Sequence, residues 1–276
     1  MNVASLRPVS AAAGTLNGSA ESLDSRIRRA AALLRGAVHA VALTGAGIST
    51  PSGIPDFRSN DRGLWGHIDQ MAVASIWGFR RDPSAFFTWI RPLARLIYQA
   101  QPNAAHRALA TLEEQGIVKE LVTQNIDVLH QKAGSHTIYE LHGDLREATC
   151  VECFRVYPVE GFIEPLIAEG VMPRCPRCGG VLKPNVILFG EALPIQALQN
   201  AQRAARQCDV MLVAGSSLAV APASELPQIA LAYGADLIIV NFEETYLDDR
   251  AQVVIHEDVA RVLPRLVTLL AGVEEG

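Results

Sequence analysis

The chain has 276 residues, 49% of them apolar, and carries 24 Lys and Arg against 29 Asp and Glu for a formal net charge of -5. That length and apolar share suit one large α/β domain, with or without a smaller insert, while the charge balance excludes a general electrostatic attraction to nucleic acid or anionic membranes. No apolar run approaches the length of a membrane span, and residues 1–24 lack both a secretory apolar core and the arginine richness of a transit peptide, so a cytoplasmic location is expected.

In chain order, residues 1–21 hold little periodic apolar content and read as a disordered tail. "SLDSRIRRAAALLRG" follows as an amphipathic helix with Ser22 or Asp24 as N-cap and Gly36 as its stop. Residues 38–44 form a short apolar run that reads as a buried strand, and "GAGISTPSGIPDFRS", residues 45–59, leaves it. Phosphates bind where a strand opens into such a loop, yet the third glycine of a dinucleotide fingerprint is missing, and Pro51, Gly53 and Pro55 forbid a long helix. A lone Gly-x-Gly is as readily a turn with no ligand, so the rest of the chain must decide. Residues 83–115 read as two helices split around Gln101-Pro102-Asn103. Then "GIVKELVTQN", "HTIYELHG", "NVILFG", "DVMLVAGSS" and "DLIIVNFE" are each short, apolar, and end in polar or glycine residues. Alternation of such strands with helices predicts a doubly wound parallel sheet, which takes ligands at the carboxyl ends of its strands.

Between two of these strands, Cys150 and Cys153 are followed after 21 residues by Cys175 and Cys178. Two Cys-x-x-Cys pairs at this separation can place four thiolates tetrahedrally around one zinc ion. Two disulfides or four ordinary buried thiols are the alternatives. Disulfides fit poorly with a cytosolic chain, and chance cysteines rarely fall into matched pairs. A four-cysteine site leaves no open position for water, so the zinc is expected to be structural. Cys208 stands apart and reads as a core thiol.

The strand ends carry the remaining polar signals. Gln124, Asn125 and Asp127 lie just past one strand, His142 past the next, Gly215, Ser216 and Ser217 past another, and Asn241 past the last. Singly, each has an ordinary reading as a helix cap, a turn residue or a structural histidine. Four such ends in one sheet point to a ligand cleft.

Taken together, Gly45-Ala46-Gly47-Ile48-Ser49, the stretch from Ser52 to Arg58, "TQNIDVLH", "LHG", both cysteine pairs, Lys183-Pro184 with Phe189-Gly190-Glu191, and "GSSL" resemble the sirtuins, in the family's order, over residues 24 to about 268. The resemblance implies a Rossmann-like NAD-binding domain over 22–59, 106–147 and 182–276, and a small module made of a helical part, 60–105, and a zinc ribbon, 148–181. It also implies NAD in the cleft between them and NAD-dependent removal of acyl groups from protein lysines. By the same resemblance Gly45, Ala46 and Gly47 approach the pyrophosphate, Asp56 and Phe57 shape the nicotinamide side, and Arg58 supports phosphate or loop closure. Ser49, Asn125 and Asp127 hold ribose and carboxamide, with Gln124, Gly215, Ser216, Ser217, Asn241 and Val259 as further cofactor contacts. His142 is the implied general base, with Asn125 and Asp127 completing the catalytic set; an imidazole titrates near neutral pH and suits the task. An acylated lysine peptide is expected as an added strand between "VILFGE" and "SSLAVAP", against Ile187, Phe189, Gly190, Glu191, Leu218 and Val220, with Ile126 lining the acyl passage.

The chain departs from the family's pattern in places. Asn185 stands where an aspartate is usual, and His256-Glu257-Asp258-Val259 replaces a small-residue turn near the adenine. The Tyr-x-x-Arg pair associated with acidic acyl groups is absent from "SAFFTWIRPLARLIY", which favours acetyl or longer apolar groups over succinyl. Two other functions compete. A mono-ADP-ribosyltransferase would use the same cleft, and a nucleic-acid-binding zinc ribbon would explain the cysteines alone. The latter predicts a basic ribbon, yet Arg155, Arg174 and Arg177 face four glutamates there, Glu152, Glu160, Glu164 and Glu169.

Overall fold

Ser22 opens the first helix, α1 (Leu23–Gly36), by accepting the Ser25 N–H at 3.2 Å. The computed structural model describes residues 21–56 and 69–272, so the expected tail up to residue 20, together with Phe57 and Arg58, lies outside the described residues. Strand β1 (Ala40–Thr44) follows α1, and in the loop after it the described residues, up to 56, form two short 3-10 turns and no longer helix, as the prolines there require. Next come α2 (Gln70–Val73), α3 (Ile76–Arg81), α4 (Pro83–Gln99) and α5 (Ala104–Glu114), with the expected break between α4 and α5. The chain continues through β2 (Val118–Thr123), α6 (Leu129–Ala133), β3 (Ile138–Glu140), β4 (Gly143–Cys150), β5 (Val156–Pro158), α7 (Glu160–Glu169) and β6 (Leu182–Val186). It ends with α8 (Ile195–Gln207), β7 (Val210–Ala214), α9 (Leu226–Ala232), β8 (Asp236–Val240), β9 (Val253–Ile255) and α10 (Val259–Leu270).

Six parallel strands form the main sheet in the order β3-β2-β1-β7-β8-β9. Strand order reverses between β1 and β7, the topological switch point of a doubly wound, Rossmann-like fold. The central strands β1 and β7 are buried on both faces, which is why they read as continuous apolar runs rather than alternating. Ala40 and Ala42 of β1 join one core with α1, α5 and α10, while Val41 and Leu43 join a second core with α8 and α9.

A separate three-stranded antiparallel sheet runs β5-β4-β6. Here the structure corrects one expectation: "NVILFG" is not a further strand of the parallel sheet. Only Asn185 and Val186 of that stretch are in a strand, and β6 pairs antiparallel with β4. A third, smaller core joins α4 to this sheet through Phe86, Phe87, Ile90, Leu93 and Val186.

The switch point depends on glycine. Gly47 donates its N–H to the Gly215 carbonyl at 2.9 Å. Gly215 has φ +63°, and a Cβ there would lie 2.3 Å from the Ile48 nitrogen. Gly215→Ala is therefore expected to destabilise the protein by about 2 kcal/mol or more, through backbone strain plus overpacking. Chemical denaturation monitored by circular dichroism checks this, and an unchanged midpoint would refute it.

Candidate active site at the strand ends

Five of the six strands of the main sheet, all but β9, extend the ladder one bond past their ends. Leu141 donates to Thr123, Gln124 to Thr44, Gly215 to Val240 and Asn241 to Ile255, at 2.9 to 3.1 Å, and Gly45 to Ala214 at 3.4 Å. The polar residues that follow the strands are thereby held level along one edge. Gln124 reaches across it, donating Nε2 to Ser216 Oγ at 3.0 Å. Asn241 is buried and donates Nδ2 to the Glu243 carbonyl at 2.8 Å.

Ser49, Asn125 and Asp127 converge beneath the glycine loop. Ser49 donates its hydroxyl to Asp127 Oδ2 at 2.6 Å, and Asn125 Nδ2 donates to Ser49 Oγ and to the Gly45 carbonyl, both at 3.1 Å. The other carboxylate oxygen of Asp127 accepts the Leu129 N–H at 2.9 Å. Burial pushes the Asp127 carboxyl upward, and the Ser49 and Leu129 hydrogen bonds oppose that shift.

Two histidines that the sequence reading did not single out as site residues back this cluster. His106 Nδ1 accepts the Asn103 N–H at 3.3 Å, so Nε2 is the protonated nitrogen facing Ser49 Oγ at 3.5 Å. His130 Nε2 lies 2.9 Å from Thr44 Oγ1, which donates to Thr123 Oγ1 at 2.9 Å. The two rings meet edge to face at 4.9 Å. Burial lowers His106 to about 4 and His130 well below the usual imidazole value, so both are neutral. The signal for His106 was Asn103 three residues ahead of it, a capping box that turns the imidazole back onto the helix start.

His142 lies between β3 and β4. Its Nδ1 is 2.8 Å from the Gln124 carbonyl, which only accepts, so Nδ1 carries the hydrogen and Nε2 keeps its lone pair. Partial burial pushes the imidazole below its usual value, against the Gln124 hydrogen bond. This leaves a neutral ring, oriented by a backbone group, with one basic nitrogen.

The stretch expected to receive a peptide is partly used by the protein itself. Phe189 donates to the Ala74 carbonyl at 2.9 Å and accepts from Ile76 N–H at 3.0 Å, and Ile187 donates to the His142 carbonyl at 2.8 Å. Glu191 turns inward, taking the Leu188 N–H at 2.8 Å and an ion pair from Lys183 at 2.9 Å, and so braces the Phe189-Gly190 turn. Leu218 is buried in the main core, whereas Val220 and Ile126 are half-buried. The Val259 side chain is likewise buried, among core residues that include Ile48. Arg91 and Arg95 both bond the Ile167 carbonyl, at 3.1 and 2.7 Å, and Arg91 also bonds Ala168 at 2.8 Å, so they cap the end of α7.

Four sulfurs, of Cys150, Cys153, Cys175 and Cys178, lie within 4.8 Å of one another. Cys150 and Cys178 are 3.5 Å apart and Cys153 and Cys175 are 3.7 Å apart. A tetrahedral zinc with Zn–S of about 2.3 Å requires sulfur separations of about 3.8 Å, so the cluster fits the ion. No disulfide links them. Cys208, the remaining cysteine, is buried in the core, where its thiol is pushed up to about 12.

A family model described as the Sir2 family matches residues 45–222. The chain is 47% identical to NAD-dependent protein deacylase 2 of Archaeoglobus fulgidus over 246 residues, covering 89% of this chain and 96% of that one. A solved Sir2 structure with p53 peptide and NAD+ superposes with a TM-score of 0.81 at 42% identity, covering 90% of this chain and 99% of the other. A Sir2 variant with deacetylated p53 peptide and 3'-O-acetyl ADP ribose superposes with a TM-score of 0.83 at 41% identity and the same coverage.

The cysteine geometry carries its own test. Cys153→Ser should abolish stoichiometric zinc, read by elemental analysis, and lower the melting temperature by loosening the small antiparallel sheet. A variant without zinc that melts like the parent would show the cluster to be dispensable.

Proposed function

The chain belongs to the Sir2 family, and on that premise we propose how its residues divide the work of an NAD-dependent protein deacylase. The activity removes acyl groups, acetyl favoured, from protein lysines. NAD would supply a ribose carbon that accepts the acyl oxygen as nicotinamide leaves; a ribose hydroxyl then adds to the acyl carbon, and one water completes release of the lysine amine with the acyl group as an ester on ADP-ribose. The observation that carries the assignment is His142: a neutral imidazole with Nδ1 fixed on Gln124 and Nε2 left basic, beside the Asn125–Ser49–Asp127 cluster. In this reading His142 Nε2 takes the proton from a ribose hydroxyl. Asn125, Asp127 and Ser49 hold the ribose and carboxamide. Their mutual hydrogen bonds fix each group before the ligand arrives, which lowers the cost of binding.

Gly45, Ala46 and Gly47 present backbone to the pyrophosphate, with Gly215, Ser216 and Ser217 opposite and Asn241 at the adenosine ribose. Asp56 takes the nicotinamide side. Val259 serves through its backbone, because its side chain belongs to the core. The acylated peptide lies extended between residues 187–191 and 217–220, with the Glu191–Lys183 brace holding the turn at Gly190. The relatives solved with peptide and NAD+ or its acetylated product support an acyl-lysine acceptor and give no support to a mono-ADP-ribosyltransferase. Four thiols clustered without disulfides suit a reducing compartment, and we place the enzyme in the cytoplasm on that ground.

His142→Ala is expected to cut turnover by a factor on the order of 100 to 10,000 while NAD still binds. Because burial lowers the pKa of His142, the neutral, active form persists below the usual imidazole value. The acidic limb of kcat/KM should therefore fall below about pH 6.5. Retained turnover in the variant, or a limb above that pH, would overturn the assignment.

Acyl choice follows from charge. With Arg91 and Arg95 committed to the carbonyls of α7, the helix offers no cation from these residues to a succinyl carboxylate. Burying an unpaired charge costs several kcal/mol. Acetyl peptides should turn over with kcat/KM at least about tenfold above succinyl ones, the ratio that about 1.4 kcal/mol gives. Equal rates, measured by mass spectrometry of the two peptides, would refute this.

A further inference from the structure

At the last strand end, His256 stands where the family pattern has a small residue. Val240 and Ile255 are partners in the β8–β9 ladder, which continues with the Asn241 N–H to the Ile255 carbonyl at 3.1 Å. The His256 ring turns back over this junction. Its Nδ1 lies 2.9 Å from the Asn241 carbonyl and its Nε2 lies 3.0 Å from Asp248 Oδ2. The ring is thereby held from both sides, between a backbone carbonyl and a carboxylate.

Asp248 is itself fixed. Its Oδ1 accepts the Thr245 N–H at 3.2 Å and the Thr245 hydroxyl at 2.6 Å. One ring thus pins residues 241–248 at both ends. Inside this loop Asn241 spends Nδ2 on the Glu243 carbonyl, which sets its rotamer and leaves Oδ1 as an acceptor. Of the carboxylates that follow His256, Glu257 takes the Asp258 N–H and Arg261, both at 2.9 Å, and Asp258 caps α10 through Ala260 N–H at 2.8 Å; Glu243, Glu244 and Asp249 lie in and beside the loop itself.

We propose that His256 is a positioning residue for NAD, holding Asn241 and Asp248 in one frame so that the loop receiving the adenosine ribose is formed before the ligand binds. The proposal rests on the placement of Asn241 at the adenosine end. A preorganised loop lowers the ordering cost of binding. The adenosine does not change during the reaction, so the effect falls on affinity and leaves the chemical step alone.

The test uses the full chain with His256→Ala, His256→Asn and His256→Gln. Asparagine keeps a donor near the Nδ1 position and glutamine keeps one near Nε2. The readouts are KM for NAD and kcat with an acetylated peptide, the dissociation constant of ADP-ribose by calorimetry, and the melting temperature. His256→Ala should raise both KM for NAD and the ADP-ribose constant about tenfold with kcat unchanged, and each amide should recover part of the loss. Constants within twofold of the parent, a loss in kcat instead of KM, or no recovery by either amide would overturn the proposal. If the parent fails to bind ADP-ribose, the adenosine-end assignment itself falls; if it binds and His256→Ala matches it, only the role of His256 falls.

Discussion

Backbone touching backbone at the switch point is the contact on which the rest depends. Doubly wound sheets open a crevice where strand order reverses, and the loops on either side of it usually diverge. Here the loop after β1 and the turn after β7 close on each other: a Cβ on Gly45 or Gly47 would lie 2.9 Å from the Gly215 carbonyl oxygen, and one on Gly215 still closer to Ile48. No side chain fits between them. Their contact lets hydrogen bonding run beyond the strand ends from Leu141 across to Ile255, so Gln124, Asn125, Ser216 and Asn241 fall along one edge without any helix to arrange them.

What that edge holds is electrostatically uncomfortable. Asp127 is buried with a raised pKa, so the fold loses stability as pH rises from the unfolded carboxyl value through the folded one. The Lys132 charge opposes the shift in part. The nearby rings, His106 and His130, have depressed values, favour the neutral form, and withdraw stability only as pH falls below the ordinary imidazole range. The Ser49 hydroxyl and the Leu129 N–H donate to the carboxylate directly, and Asn125 Nδ2 in turn donates to Ser49 Oγ. A buried carboxyl of this kind costs stability, and such perturbed groups cluster at functional sites.

Much of this was legible because the loop and strand ends require particular residue types. Pro51 and Pro55 announced a loop without a helix, the paired cysteines announced their cluster, and the polar endings of β2, β7 and β8 marked the edge. The failures have physical causes. "NVILFG" is apolar whichever sheet buries it, and local composition does not record that β6 pairs with β4. With three residues, β9 is too short for any periodicity. His106 and His130 come from different helices, α5 and α6, and their meeting is a tertiary fact. The direction of Arg91 and Arg95 depends on where α7 ends, about 70 residues away.

The small sheet connects the cysteine cluster to His142. His142 is gripped twice. Its ring is held by Gln124 beside the main sheet, and its carbonyl accepts the Ile187 N–H just beyond β6. The next residue, Gly143, begins β4 at φ +71°, and a Cβ there would lie 1.9 Å from the Asn185 carbonyl, so β4 and β6 start in close backbone contact immediately beside the imidazole. At the other end of the same pair, Cys150 lies opposite Leu182. The eight residues of β4 span roughly 25 Å at about 3.3 Å per residue, too far for the ion to act on His142 through its field across the solvent-screened distance. A metal on the cysteines would act mechanically, closing one end of a β4–β6 pair whose register shifts between Gly143 and Ala148 and whose other end delivers Ile187 to His142.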